Sequence, residues 1–208
     1  MKKFAVVLII ACILCSCAYA ADDGNSNQSW NWFDLSAGFN FTFRDGALSS
    51  LSDIKNITAK DINFGVELRT KMLFLELDAS GELGVTESNG LQFSGLLVAG
   101  ISEDLFGTAR LGICLGPVVD YVHDGKKGTL VIDGNSIEAA SFTDALNKSH
   151  FNIRTTLDFF LGPVIKLGVS FTLPTDFTLE THDMNMLIPN SDNLKEGSFS
   201  LVLQMTLV

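Results

Sequence analysis

The sequence predicts an all-β chain closed into an eight-stranded antiparallel up-and-down barrel, and three observations carry that prediction. Segments of two-residue alternation recur to the last residues, the mark of strands with one dry and one wet face. The gaps between them are short at one end of the inferred barrel and long at the other. The two faces also differ in size, bulky on the apolar side and rich in glycine and serine on the polar side.

The first segment, 30–44, contains DLSAGFNFTFRDG. Leu35, Ala37, Phe39, Phe41 and Phe43 fall on one side, and Asp34, Ser36, Gly38, Asn40, Thr42 and Arg44 on the other. The second, 61–69, sets Phe64, Val66 and Leu68 against Asn63, Gly65, Glu67 and Arg69. The third, 73–85, sets Leu73, Leu75, Leu77 and Leu83 against Glu76, Asp78, Ser80 and Glu82. The fourth, 91–101, is less regular, since Leu96 and Val98 sit on its otherwise polar side. The fifth, 105–121, opposes Leu111, Ile113 and Leu115 to Arg110, Gly112, Cys114 and Gly116. The sixth, 150–159, opposes Phe151, Ile153 and Leu157 to Asn152, Arg154, Thr156 and Asp158. The seventh, 165–173, alternates Leu167, Val169 and Phe171 with Lys166, Gly168 and Ser170. The eighth, 198–207, alternates Leu201, Leu203 and Met205 with Ser200 and Gln204.

Tight turns are expected around Thr70-Lys71, Glu103-Asp104 and Leu161 to Pro163. The gaps 45–60, 122–149 and 174–196 are long, and only 86–90 is short among the alternate connections. Antiparallel neighbours place odd connections at one end and even ones at the other. One end is therefore trimmed to turns while the other carries nearly all the loop mass. The loosely repeated LGPV at 115–118 and 161–164 puts prolines where a bulge or turn is expected, because proline donates nothing to a ladder.

The ends say where the chain travels. Lys2 and Lys3, an apolar stretch over 4–14 and Ala18-Tyr19-Ala20 form a secretory signal peptide, 1–20. Its apolar core is too short to span a bilayer, which takes roughly 20 residues. A rival reading makes Cys17 an acylated first residue. Residues 21–28 then form a short periplasmic segment and 29–208 the barrel. Cleavage leaves Cys114 as the one remaining cysteine, so no internal disulfide is expected, and no Cys/His spacing suggests a metal site. Losing two leader lysines makes the chain more acidic than its formal −10, which repels nucleic-acid phosphates. Hydrophobic residues make up 47% of the chain, with 16 phenylalanines, yet no later run is long enough for a membrane helix.

Alternation alone leaves open which face points inward. A secreted lipocalin-like barrel would turn its apolar side toward a ligand cavity. Size argues for the reverse, because the interior of an eight-stranded barrel is barely wide enough for side chains to fill. Charge argues the same way. On the strands, Asp34, Glu67, Glu76, Asp78, Glu82, Asp120 and Asp158 nearly balance Arg44, Arg69, Lys71, Arg110, Arg154 and Lys166, while the loops carry the acidic surplus. Charges enclosed in a narrow lumen must pair, because each unpaired one costs several kcal/mol. Aromatic residues also gather near strand ends, as interfacial girdles do. The prediction is thus a transmembrane barrel with outer-membrane lipid against its apolar face.

An even strand count, turns at one end and long loops at the other make the chain resemble the small eight-stranded bacterial outer-membrane proteins. These are the barrels of the OmpW, OmpX/OmpA and opacity-protein kind. The resemblance covers nearly all of 29–208 and is architectural; it implies a place in the bacterial outer membrane.

Candidate functional residues follow from parity. Glu67, Arg69, Glu76, Asp78, Glu82, Arg110, Arg154, Asp158 and Lys166 are expected to form an ion-pair network in the lumen. Leu96, Val98, Val118 and Val122 would line an apolar vestibule near one mouth. His123, His150 and His182 lie in or beside loops, and neighbours such as His123-Asp124 point apart on an extended chain, so no catalytic triad, enzyme activity or cofactor is expected. Two functions fit. In one the barrel is a plugged anchor whose loops 45–60, 122–149 and 174–196 bind host or surface ligands. In the other, implied by the resemblance to OmpW, it is a narrow channel for small apolar solutes. The expected ion pairs favour the anchor.

Overall fold

A computed structural model describes residues 33–44, 58–86, 90–132 and 137–207. The expected signal peptide with Cys17, the segment 21–28, the start of the first strand at Trp30 and most of loop 45–60 lie outside them. The chain forms β1 (Phe33–Phe43), β2 (Ile62–Met72), β3 (Leu75–Val85), β4 (Leu91–Leu105) and β5 (Ala109–His123). A short β6 (Gly128–Val131) and a helix α1 (Phe142–Lys148) follow. β7 (Phe151–Phe160), β8 (Ile165–Pro174), a helical turn α2 (Asn193–Glu196) and β9 (Ser198–Thr206) complete it.

Every strand pairs antiparallel with its sequence neighbour in the ring, and β1 closes the ring on β9. Phe39 shows the closure, lying opposite Val66 on one side and Leu203 on the other. The ring has eight strands. β6 stands outside it, extending the rim by pairing with Asp120 to His123 of β5, above the point where Pro117 meets the first residue of β7. Closure leaves no sheet edge in the ring, so its backbone groups need no water.

The alternation is resolved inside out. Phe39, Val66, Phe64 and Leu203 are more than half exposed, whereas Ser36, Asp158 and Arg69 are sealed from solvent. Leu77, Leu97, Ile101, Leu111, Ile113 and Met205 continue the apolar collar round the outside. A collar of that extent far exceeds the apolar patches a water-soluble monomer exposes, and hydrocarbon is the medium that suits it. The lipocalin-like alternative needs these side chains inside; they lie outside. The molecule is a transmembrane up-and-down barrel. Among the described residues no helix is long and apolar enough to cross a membrane.

Glycines make the narrow lumen passable. A Cβ on Gly112 would sit 2.5 Å from Thr156 Oγ1 and 2.9 Å from Glu76 Oε1. A Cβ on Gly168 would lie 2.5 Å from Asp158 Oδ1. Large polar side chains of one strand occupy the space that their neighbours leave empty.

Two turns differ from expectation. Thr70 and Lys71 remain in β2, and the reversal falls at Leu73-Phe74, with Leu73 in the left-handed region at φ 58°. Glu103 and Asp104 remain in β4, so Leu105 ends that strand and does not begin the next. The reversal falls at Phe106 and Gly107, both with positive φ, closed by the Thr108 amide donating to the Leu105 carbonyl at 3.1 Å. That is the type I′ geometry which matches the twist of a hairpin. In an inside-out barrel polar residues mark the lumen as readily as they mark a turn, which is why both reversals were displaced. Pro163 lies in the β7–β8 turn. Pro117 stays within β5, where the ladder to β4 skips Gly116 and Pro117.

Candidate functional site

Period-2 parity delivers one inward side chain from each strand to each level of the lumen, and the charged ones sort into three tiers. In the middle tier β2 supplies Glu67 and Arg69, β3 Glu76 and Asp78, and β7 Arg154 and Asp158. Arg69 donates to Glu67 and to Asp158, and its Nε lies 3.7 Å from Glu76. Arg154 donates to Glu67 through Nη2, and its Nε lies 2.9 Å from Asp78. Gln204 of β9 adds a neutral donor to Glu67 at 3.0 Å, and Thr156 donates to Glu76 at 3.3 Å. All these side chains are buried. Four carboxylates and two guanidiniums thus cross-link β2, β3 and β7 through the barrel axis, with β9 joined through Gln204. Arginine suits the task because its planar fork serves several carboxylates at once.

The tier at the turn end is separate. Lys166 donates to both oxygens of Asp34, at 2.5 and 2.7 Å. Arg110 Nε donates to Asp104 at 2.6 Å, and its Nη2 reaches Asp34 at 3.4 Å. Lys71 lies 2.8 Å from Asp104. The Phe160 ring lies beneath both cations, 5.5 Å from the Arg110 guanidinium and 5.8 Å from the Lys166 ammonium, near enough for cation–π attraction.

At the loop end Glu82 stands apart from the other carboxylates. It accepts from Asn40 at 3.0 Å, Thr42 at 2.7 Å and Asn63 at 3.4 Å, all neutral donors. Asp120 likewise accepts from Ser94 and from Gln92 at 3.3 Å.

The structure therefore brings Glu67, Arg69, Glu76, Asp78, Arg154 and Asp158 together, groups Arg110 with Lys166 nearer the turns, and holds Glu82 on the loop side. Asp104 joins the turn-end tier from β4, although its polarity beside Glu103 reads in the sequence as a turn. Continuing the parity of Ser102 by two residues finds it. Gln204, Asn40 and Thr42 share the polar parity but carry no charge to draw attention.

Above the middle tier the lumen opens into a well. A cavity of about 150 Å³ is walled by Glu82, Asp120, Ser80, Leu96, Val118 and Arg154 among others. It shares Val118, Asn152, Thr172 and Ser198 with a second cavity of about 370 Å³, bounded by Asp176, Asn190, Asp192 and Glu196 of the β8–β9 connection. Of the four residues expected in an apolar vestibule, Leu96 and Val118 face this well. Val98 is sealed beside Asp78, and Val122 pairs with Gln92 and Thr129 on the rim. The rest of the lining is mainly hydroxyl, amide and carboxylate.

His123 Nδ1 accepts from the Gly125 amide at 3.1 Å in the β5–β6 turn, and Asp124 accepts from the Lys126 and Lys127 amides. His182 lies beside the Glu180 carbonyl, and Asp183 accepts from the Asn185 amide. These are turn-forming roles. Among the described residues no group of three or more His, Cys, Asp or Glu side chains is placed to hold a metal ion.

No protein-family model matches the chain, and no curated protein matches it. Among solved structures it is similar to Ail, the attachment invasion locus protein of Yersinia pestis, at 9% identity and a TM-score of 0.44. That match covers 84% of this chain and 95% of Ail. It is similar to Neisserial surface protein A at 11% identity and 0.44, over 84% and 96%. A de novo designed transmembrane β-barrel matches at 8% identity and 0.42, over 84% and 95%. The fold stands on this chain's own strand pairing.

Proposed function

We propose that this barrel is an integral protein of the bacterial outer membrane, working as a closed anchor that presents its loops to molecules outside the cell. The observation that carries this reading is the stacking of two ion-pair tiers across the axis. Arg69 and Arg154 engage carboxylates from three strands, and Lys166 and Arg110 engage Asp34 and Asp104 below them. A lumen filled in this way leaves no continuous water path and stiffens the cylinder. The loop mass supports the same reading. The β5–β7 and β8–β9 connections carry α1 and α2, and the Glu180 amide donates to the Asn147 carbonyl to tie one connection to the other. Loops carried on a rigid scaffold are suited to recognition.

The conducting alternative draws little support from the middle tier, which is charged and sealed where an apolar solute would have to pass. Planar-bilayer recording tests the proposal: the reading predicts a folded, inserted barrel without steady conductance. Steady single-channel currents would overturn it. Exchanging the loops 122–149 and 174–196 for short turns is expected to abolish binding to surface ligands while the barrel still folds.

A further inference from the structure

The outer wall of the barrel carries a single charge. Among the described residues Glu103 of β4 is the one Asp, Glu, Lys or Arg on the outward parity of the ring, exposed and paired opposite Leu111 of β5. We infer that Glu103 is the centre of a lipid-binding site at the turn end, and that its ligand is a phospholipid with a primary-amine headgroup. The site presupposes the lipid-facing wall of the proposed outer-membrane anchor and names the headgroup that this wall prefers.

Charge and depth come first. A charged side chain on the lipid face of a barrel is destabilising in the middle of the bilayer and tolerated near its interfaces. Glu103 stands close to the end of β4 at Leu105, so it lies at headgroup depth. The protein gives it no cation there. The basic side chains of this level, Lys71, Arg110 and Lys166, are inside the lumen, where they hold Asp104 and Asp34. A counter-charge for Glu103 has to come from beyond the wall.

Apolar turn tips frame the carboxylate. The β2–β3 turn lies against β4 at this level, with the Ser102 amide donating to the Phe74 carbonyl at 2.8 Å. That turn presents Leu73 and Phe74, both more than half exposed, and Phe106 at the β4–β5 tip is 97% exposed. Leu73 and Phe106 are each held at positive φ, 58° and 52°, a region that bulky residues rarely occupy. Turns that face water draw on glycine, asparagine and aspartate, whereas these tips are large and uncharged. Toward the middle of the wall Ile101 and Leu111 continue the apolar collar. One anion is thus set in a surface continuous with the band that meets the acyl chains.

That combination selects among headgroups. A primary ammonium brings both positive charge and N–H donors to the carboxylate, while its acyl chains lie along Ile101 and Leu111. A quaternary ammonium has no N–H to donate. A headgroup of net negative charge would meet Glu103 as a like charge, with no outward cation among the described strands to offset it.

Native mass spectrometry of the full, folded barrel tests the site, with the protein released from uncharged micelles that hold equal amounts of phosphatidylethanolamine, phosphatidylcholine and phosphatidylglycerol. The acyl chains are the same in all three. Retention of phosphatidylethanolamine is expected to exceed that of each competitor by about fivefold, the upper scale of an exposed charge pair. Glu103→Gln changes an exposed group, and the heat-shifted gel band checks its folding; it should bring the three lipids to equal retention. Phe106→Asn suits the left-handed turn position and removes part of the frame, so it should lower retention of all three. Equal retention by the unaltered barrel, an amine preference that survives Glu103→Gln, a preference for phosphatidylglycerol, or retention unmoved by Phe106→Asn would each overturn the site and leave the orientation of the wall intact. Stronger capture of a tetralysine peptide than of the amine lipid would assign the carboxylate to a basic polypeptide and overturn it as well. Retention of no phospholipid of any headgroup would strike the lipid-facing wall itself, and the site with it.

Discussion

Arg154 of β7 and Glu67 of β2, 87 residues apart in sequence, meet across the barrel axis with the guanidinium donating directly to the carboxylate. The same arginine holds Asp78 of β3 through Nε at 2.9 Å. One side chain thus neutralises two strands that it does not pair with through backbone bonds.

Removing it should be expensive. Arg154→Met keeps an unbranched stem but removes the guanidinium, which leaves Glu67 and Asp78 one cation short in a sealed site. Breaking a buried pair from one side costs about 3–5 kcal/mol. Reversible urea unfolding of the barrel in detergent should register that loss. Adding Glu67→Gln to the same chain should recover part of it. A loss below about 1 kcal/mol, the range of an exposed pair, would contradict the sealed geometry.

Gly112→Val tests the crowding. The new side chain would start from a Cβ only 2.5 Å from Thr156 Oγ1 and 2.9 Å from Glu76 Oε1, and both neighbours are buried. Overpacking of this kind costs about 1–3 kcal/mol. Gly81→Val is the matched control, because a Cβ there first meets the outward Phe93 ring at an ordinary 3.4 Å. The lumen variant should lose stability and the outward one should not. Equal behaviour would mean that the lumen is looser than drawn.

The fold was largely legible because alternation, loop asymmetry and face size agreed, and each rests on strand geometry alone. What misled was polarity. Lys71 and Asp104 looked like turn residues, yet they face the lumen, 2.8 Å apart, while the true turns carry Leu73, Phe74 and Phe106. A two-residue period continued through Met72 would have shown that β2 does not stop at Arg69. Residues such as Glu76 and Arg69 could be assigned to one interior by parity, but their vertical sorting into tiers needs the register, which a single sequence does not state. Helix α1 did leave a trace. Ser141 caps it by accepting from the Asp144 amide at 3.1 Å, and serine followed by an acid three residues on is a helix-start signal.

That helix supplies a prediction on pH. The Asp144 carboxylate accepts from the Ala140 amide at 2.9 Å and pairs with Lys148, and both interactions favour its ionised form. The backbone hydrogen bond is the larger cause, and it holds the carboxyl below the ordinary aspartate value. A depressed value means that the stabilisation is complete above the ordinary aspartate pKa and is lost as pH falls through the lowered one. Hydrogen exchange over Ala145 to Lys148, corrected for intrinsic rates, should therefore lose protection only under strongly acid conditions. Asp144→Asn should flatten that acid limb. Identical acid profiles in the two proteins would contradict the cap.

The orientation of the wall is the central claim, and spin labels placed singly at 39, 111 and 203 in a Cys114→Ser background test it most directly. Collision rates with oxygen and with a water-soluble nickel chelate, measured in lipid vesicles, report what each label touches. High oxygen access and low nickel access at all three positions is the predicted result. Nickel access equal to that of a loop site such as 182, or protection from both reagents, would place these side chains in water or in an enclosed cavity, and the inside-out barrel would be wrong.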